Sequence, residues 1–397
     1  MQRRHFLSFC ASLPLTLGVP RLMAAPGTDQ KLLVVFMRGA YDAASLLVPL
    51  ETDFYYERRP TIAIARPGAG PHAARPLADG WGLHPALADS LLPYYQRGEL
   101  AFIPFAGTDD VSRSHFETQN RIERGQGAKE AGGQDRSGFL NRLAQEMGMP
   151  AVAFTTDVPA IFQGRASVPN IALASGSAKS RLSDSHEAVI ARMYQGTDLQ
   201  DRVQEGMDLK RTAQQLEADN AEQMQANGKA VSVERLAGQA RRIASFMQDR
   251  YNLGFVDVGG WDTHVGQGAG QGSLANKLRQ LGQALDAYAQ AMGTAWRNTT
   301  VVVVSEFGRT FAENGTRGTD HGHGTVYWVM GGQVRGGRLA GEQIVLSPQT
   351  LFQQRDYPVL SEYRAIFAGL FSRLYGLDEK RLARIFPAVK PLDLKLI

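Results

Sequence analysis

Unbroken runs of apolar residues punctuate this chain. Lys31–Met37 (KLLVVFM), residues 99–105 (ELAFIPF), Leu253–Val258 (LGFVDV), Thr299–Ser305 (TTVVVVS) and residues 325–330 (TVYWVM) are short, rich in β-branched or aromatic residues and mostly bounded by turn residues. Such runs predict strands buried on both faces, as in a parallel sheet. Residues 61–65 read as a shorter strand of the same kind. A different period marks residues 273–297, where Leu274, Leu278, Leu281, Leu285, Tyr288, Met292 and Trp296 recur three or four apart. That spacing predicts an amphipathic helix with one apolar face. Strand, long helix, strand is a βαβ crossover.

Helical spacing also marks residues 85–97, 116–124 and 361–375, the last followed by a basic, Pro-containing tail. Residues 125–133 are a glycine-rich loop. Residues 184–249 are polar and rich in Gln, Glu, Arg and Ala, which predicts two or three amphipathic helices forming a cap or outer layer. No heptad persists there for three repeats, so a separate coiled coil is disfavoured. Strands alternating with helices predict one large α/β domain over residues 26–397, with residues 184–250 as a helical insertion.

The N-terminus follows another pattern. Arg3 and Arg4 precede Phe6 and Leu7, an apolar stretch runs to about Pro20, and Ala24 and Ala25 follow. A basic end, a short apolar middle and a small-residue cleavage site predict a secretory signal over residues 1–25, and the arginine pair makes it a twin-arginine one. Removing Arg3, Arg4 and Arg21 with the signal lowers the formal net charge from +4 to +1. No basic stripe interleaved with aromatics is present, so nucleic acid is not an expected partner. No apolar run reaches the roughly 20 residues of a membrane-spanning helix, and none is expected after cleavage. Cys10, the single cysteine, lies in the signal, so the mature chain would lack disulfides, thiol catalysis and cysteine-ligated metal.

Candidate chemistry gathers where strands end, which is where open α/β sheets bind ligands. Asp262 and His264, in GGWDTH after LGFVDV, can ligate one ion or share one site. Glu306, at the tip of TTVVVVS, is costly to bury unless paired or ligated, and Arg309 is close enough in sequence to pair with it or to bind an oxyanion. Asp320, His321 and His323, in GTDHGHG, bring one carboxylate and two imidazoles together in a metal-binding mixture. Asp42 follows the first strand as a further candidate ligand. Ser112, Arg113, Ser114 and His115 precede a helix and suit an anion or nucleophile site, although the serines also suit helix capping. HExxH, GxSxG, a Walker loop and a strand-following GxGxxG are all lacking, which disfavours zincins, standard α/β-hydrolases, P-loop NTPases and Rossmann dehydrogenases.

The twin-arginine start, LLVVFMRGAYD, LHPAL, SRSHFETQ, GGWDTH and SEFGRTFAENGTRGTDHGHG together resemble the bacterial exported family catalogued as domain of unknown function 1501. The resemblance runs from Leu32 to the C-terminal helix. Ala40 and Ala43 stand where that family usually has glycine. The family is generally grouped with the alkaline phosphatase and sulfatase superfamily. The grouping implies a three-layer α/β/α sandwich and metal-assisted hydrolysis of a small-molecule or polymer phosphate or sulfate ester, and export by the twin-arginine machinery implies a periplasmic location. The ion implied is divalent: zinc, manganese or calcium. By that resemblance Asp42 would be a first-strand ligand, Asp262 and His264 would bind one metal, and His321 or His323 would complete it. Glu306 would stand where the superfamily has Asp-His, and Ser114 or Ser112 near its nucleophile. Arg309 and Arg113 would hold non-bridging oxygens. Two rival expectations are a non-catalytic envelope protein of the same fold and a metal-free hydrolase using Ser114 and His115.

Overall fold

The computed structural model describes residues 29–130, 136–155, 157–173, 184–204, 206–207 and 233–397. The expected signal, residues 131–133 of the glycine-rich loop and much of the 184–249 stretch lie outside the described residues.

Eleven strands occur among the described residues: β1 (Lys31–Met37), β2 (Leu47–Pro49), β3 (Arg75–Pro76), β4 (Trp81–Leu83), β5 (Leu100–Gly107), β6 (Ala151–Ala153), β7 (Leu253–Val258), β8 (Thr299–Ser305), β9 (Thr325–Gly331), β10 (Arg338–Leu339) and β11 (Ser361–Glu362). The main sheet runs β10-β5-β9-β8-β1-β7-β6, with β11 alongside β5, and β2, β4 and β3 form a small antiparallel sheet. β1 pairs in parallel with both β7 and β8, and β9 is antiparallel to β8 and β5. The fold is thus α/β with a mostly parallel central sheet.

Alternation along β1 explains its unbroken apolar run. Leu33, Val35 and Met37 enter one core and Leu32, Val34 and Phe36 the other. On the first face lie helices Val233–Asp249 and Ser273–Met292, contributing Ile243, Met247, Leu278, Leu281 and Leu285. On the second lie Phe139–Met147, Tyr363–Tyr375 and Glu379–Ile385, contributing Leu140, Phe367, Phe371 and Leu382. Each Leu- or Phe-sized side chain so buried stabilises the fold by roughly 1.5–3 kcal/mol relative to exposure. Helix Val233–Asp249, from the stretch read as a cap, packs on the sheet beside Ser273–Met292.

Several expectations need correction. Residues 61–65 form no strand: the Glu313 carboxylate takes the Thr61 and Ile62 N–H groups that a ladder would use. Residues 85–97 form a 3-10 turn, Pro85–Leu87, and a short helix, Leu92–Gln96, because Pro93 is tolerated only in a first turn. The C-terminal tail carries its own helix, Glu379–Ile385, capped by Asp378.

Met37 is in register with both Val258 and Ser305, so β1, β7 and β8 end level. The polar loops after them leave from one edge of the sheet. β9 is antiparallel, so the segment before it returns to that same edge.

Candidate metal centre

Three segments meet at this edge. Helix His115–Arg124 supplies His115, the loop after β7 supplies Asp262 and His264, and the segment between β8 and β9 supplies Glu306, Arg309, Asp320 and His321. Close packing of bare backbone lets them meet. A Cβ on Gly39, at φ +115°, would lie 2.8 Å from the Asp262 nitrogen, and one on Gly322 would lie 2.5 Å from the Arg309 carbonyl carbon. Ala40 takes φ +55° beside Gly39, a left-handed conformation costing an alanine roughly 1–2 kcal/mol.

Each of three imidazoles is held by its Nδ1. His115 Nδ1 lies 2.7 Å from Glu306 Oε1, His264 Nδ1 3.2 Å from Asp320 Oδ1, and His321 Nδ1 3.0 Å from the Arg113 carbonyl oxygen. All three partners are acceptors, so a proton belongs on each Nδ1 and each Nε2 turns inward. His321 Nε2 lies 3.0 Å from His115 Nε2 and 3.2 Å from His264 Nε2. Asp262 Oδ1 lies 3.0 Å from His264 Nε2 and 3.4 Å from His321 Nε2. Neutral imidazoles in this arrangement aim lone pairs at one another and at a carboxylate, which a shared proton or a cation must relieve.

Two features fit a cation. Donor atoms of one tetrahedral ion, bonded at about 2.0–2.1 Å, lie about 3.3 Å apart, close to the separations here. Asp262, Glu306 and Asp320 carry three negative charges against the one positive charge of Arg309, so a divalent ion balances the site. Among the described residues, His115, Asp262 and His321 could hold a metal ion: one ligand atom of each lies within 4.8 Å of the others. An acceptor on the far nitrogen of a ligating histidine is the usual way to fix its tautomer.

The carboxylates are kept ionised by their surroundings. Burial alone would raise the Glu306 pKa, but hydrogen bonds from His115, Gln119 and the Gly39 N–H hold it below the ordinary value. Burial opposes ionisation of Asp262 too, and Arg309 overrides it. Asp320 is lowered by Asn314 and then by His264. His115 is raised, chiefly by its bond to Glu306, while burial lowers His321.

Other expected site residues lie elsewhere. The Asp42 carboxylate is spent on Arg59, at 2.6 and 3.0 Å, and on Ser45 and Gln267, so it does not join the imidazoles. His323 is buried against Phe352, with ring centroids 4.5 Å apart, because its neighbour Gly324 packs its backbone on Tyr357 and Pro358. The Arg113 guanidinium binds Gln353 and Asp356, both at 2.7 Å, and only its carbonyl serves the site. Arg309 donates to Asp262 and Thr319 and is not paired with Glu306. Ser114 is the N-cap residue of His115–Arg124 without a side-chain capping bond, and exposed Ser112 accepts the Ser114 N–H at 3.3 Å. Sequence reasoning missed Gln119, which donates to Glu306 at 2.8 Å. Its position four residues after His115 on one helix face was the available signal.

An α/β protein with a histidine–carboxylate cluster at the carboxyl edge of its sheet is the class these features define. The chain belongs to the DUF1501 family of proteins of unknown function, whose model matches residues 29–386. No curated protein matches it. Two solved structures of Ps i-CgsB, one of them in complex with k-i-k-neocarrahexaose, align at 11% identity over 89% of this chain and 73% of theirs, with TM-scores of 0.38 and 0.42.

Proposed function

We propose that the chain is a metal-dependent hydrolase of phosphate or sulfate esters, exported by the twin-arginine route and acting in the periplasm on a three-layer fold of the alkaline phosphatase and sulfatase kind. The observation that carries this reading is the inward turn of three imidazole Nε2 atoms beside Asp262, each ring fixed by an acceptor on its Nδ1. His115, Asp262 and His321 would hold the ion, with His264 beside them. Imidazole and carboxylate donors suit zinc or manganese, whereas calcium prefers six to eight oxygens. A divalent ion supplies Lewis-acid polarisation of the ester and a lowered pKa for an attacking hydroxyl. The protein's part is orientation. Glu306 and Asp320 set the rings of His115 and His264, Arg309 holds Asp262, and Ser114 stands one residue from His115 with its hydroxyl not spent on capping.

Elemental analysis of protein purified without chelator, beside Asp262→Ala and His321→Ala, tests this, followed by aryl phosphate and aryl sulfate assays with the metal found. Stoichiometric metal and ester hydrolysis, both lost in the variants, are expected. Metal-free wild-type protein, or variants that keep metal and activity, would overturn the reading.

One observation favours a second reading, a non-catalytic envelope protein with a structural ion. Both arginines expected to hold an oxyanion are already engaged, Arg309 with Asp262 and Arg113 with Asp356. That reading predicts bound metal, a melting temperature lowered by chelation and no turnover of any ester.

A further inference from the structure

Gln267 lies between the cluster and the Asp42–Arg59 pair and is fully buried. Its Nε2 donates to Asp42 Oδ2 at 2.6 Å, and its Oε1 accepts from Thr263 Oγ1 at 3.0 Å and Thr319 Oγ1 at 3.1 Å. Thr319 Oγ1 in turn accepts Arg309 Nε at 3.2 Å. The second Arg309 amine reaches the Thr319 carbonyl, and the first reaches Asp262.

Only one set of donor directions satisfies this chain. Asp42, paired bidentately with Arg59, accepts and cannot donate. The Gln267 amide must therefore show it the NH2 and turn its oxygen to the threonines. Thr319 then spends its proton on Gln267 and is left with lone pairs for Arg309. With Nε and one terminal nitrogen of Arg309 fixed on Thr319, the other can meet Asp262 in one orientation.

We propose that Gln267 is a positioning residue for the candidate metal centre, acting through Thr319 and Arg309 to orient Asp262. The part of this that concerns metal affinity rests on the metal reading above. The part that concerns Arg309 does not.

The test is an NMR record of arginine Nε–H groups in the whole protein, with the Arg309 signal assigned by its loss in Arg309→Lys. The wild type should show an Arg309 Nε–H protected from solvent exchange. Gln267→Met keeps the volume and removes the amide. It should abolish that protection while leaving Arg59, whose Nε binds the Phe311 carbonyl at 2.6 Å, protected as a reporter of intact folding. Thr319→Val should do the same, and Thr319→Ser should restore the signal, which packing alone would not predict. A zinc competition titration should show affinity reduced about 10–100-fold in Gln267→Met. Arg309 protection unchanged in Gln267→Met would overturn the proposal. Wild-type protein that binds neither zinc nor manganese would overturn the metal reading instead, and the Arg309 signal would still decide the role of Gln267.

Discussion

Asp42 follows β1 and Asp262 follows β7, two strands paired in register, yet the two aspartates live in opposite electrostatic worlds. The Asp42 and Arg59 side chains are 1% and 0% exposed, and each charge has its full complement of partners. The side chain of Asp262 is 40% exposed and shares its surroundings with more negative charge than Arg309 can balance. The first region is electrically closed. The second is short of positive charge and open to solvent. An acidic residue at a strand end is therefore not enough to mark a site. What marks it is charge left over once the protein's own partners are counted.

The largest break in this contrast should come from Arg59→Ala. It leaves a fully buried carboxylate without its cation, and unfolding in urea should show a loss of about 3–5 kcal/mol. Next comes acid. His84 accepts the Ala86 N–H through Nδ1 and faces the Ala269 carbonyl with Nε2, and burial pushes its pKa down to about 4 from 6.5. The unfolded chain binds the proton more readily, so stability should be full above pH 6.5 and fall as the pH drops toward 4, by up to about 3 kcal/mol. Denaturation across that range should show this slope, and His84→Gln should remove it. The smallest effect concerns the open region. Glu306→Gln keeps the shape but weakens the hold on His115 Nδ1, and zinc affinity should fall about 10–100-fold.

The same contrast explains what could be read in advance. β1, β5, β7, β8 and β9 were legible because strands buried on both faces need unbroken apolar runs. β6, β10 and β11 have two or three residues each and leave no such trace. His115, Asp262, His264, Glu306, Arg309, Asp320 and His321 could be singled out because polar groups crowd the ends of strands. Their division of labour could not. Whether an aspartate binds an ion or an arginine depends on what folds against it, and Arg59, from an ordinary stretch before Pro60, is that deciding partner for Asp42. Gln267 carries no sequence signal, because its importance lies entirely in the direction its amide faces.

The position of β1 also governs the order in which the molecule can be built. It is the earliest strand of the main sheet, yet it lies between β7 and β8, whose residues begin at Leu253 and Thr299. During synthesis its apolar run has no neighbour until most of the chain has emerged. Pairings so distant in sequence are slow to form, and an unpaired apolar strand invites association with other chains. The sheet, and with it the meeting of His115, Asp262 and His321, is an event of the finished polypeptide, so a ribosome-bound fragment ending before Thr299 would have neither a closed core nor the histidine cluster.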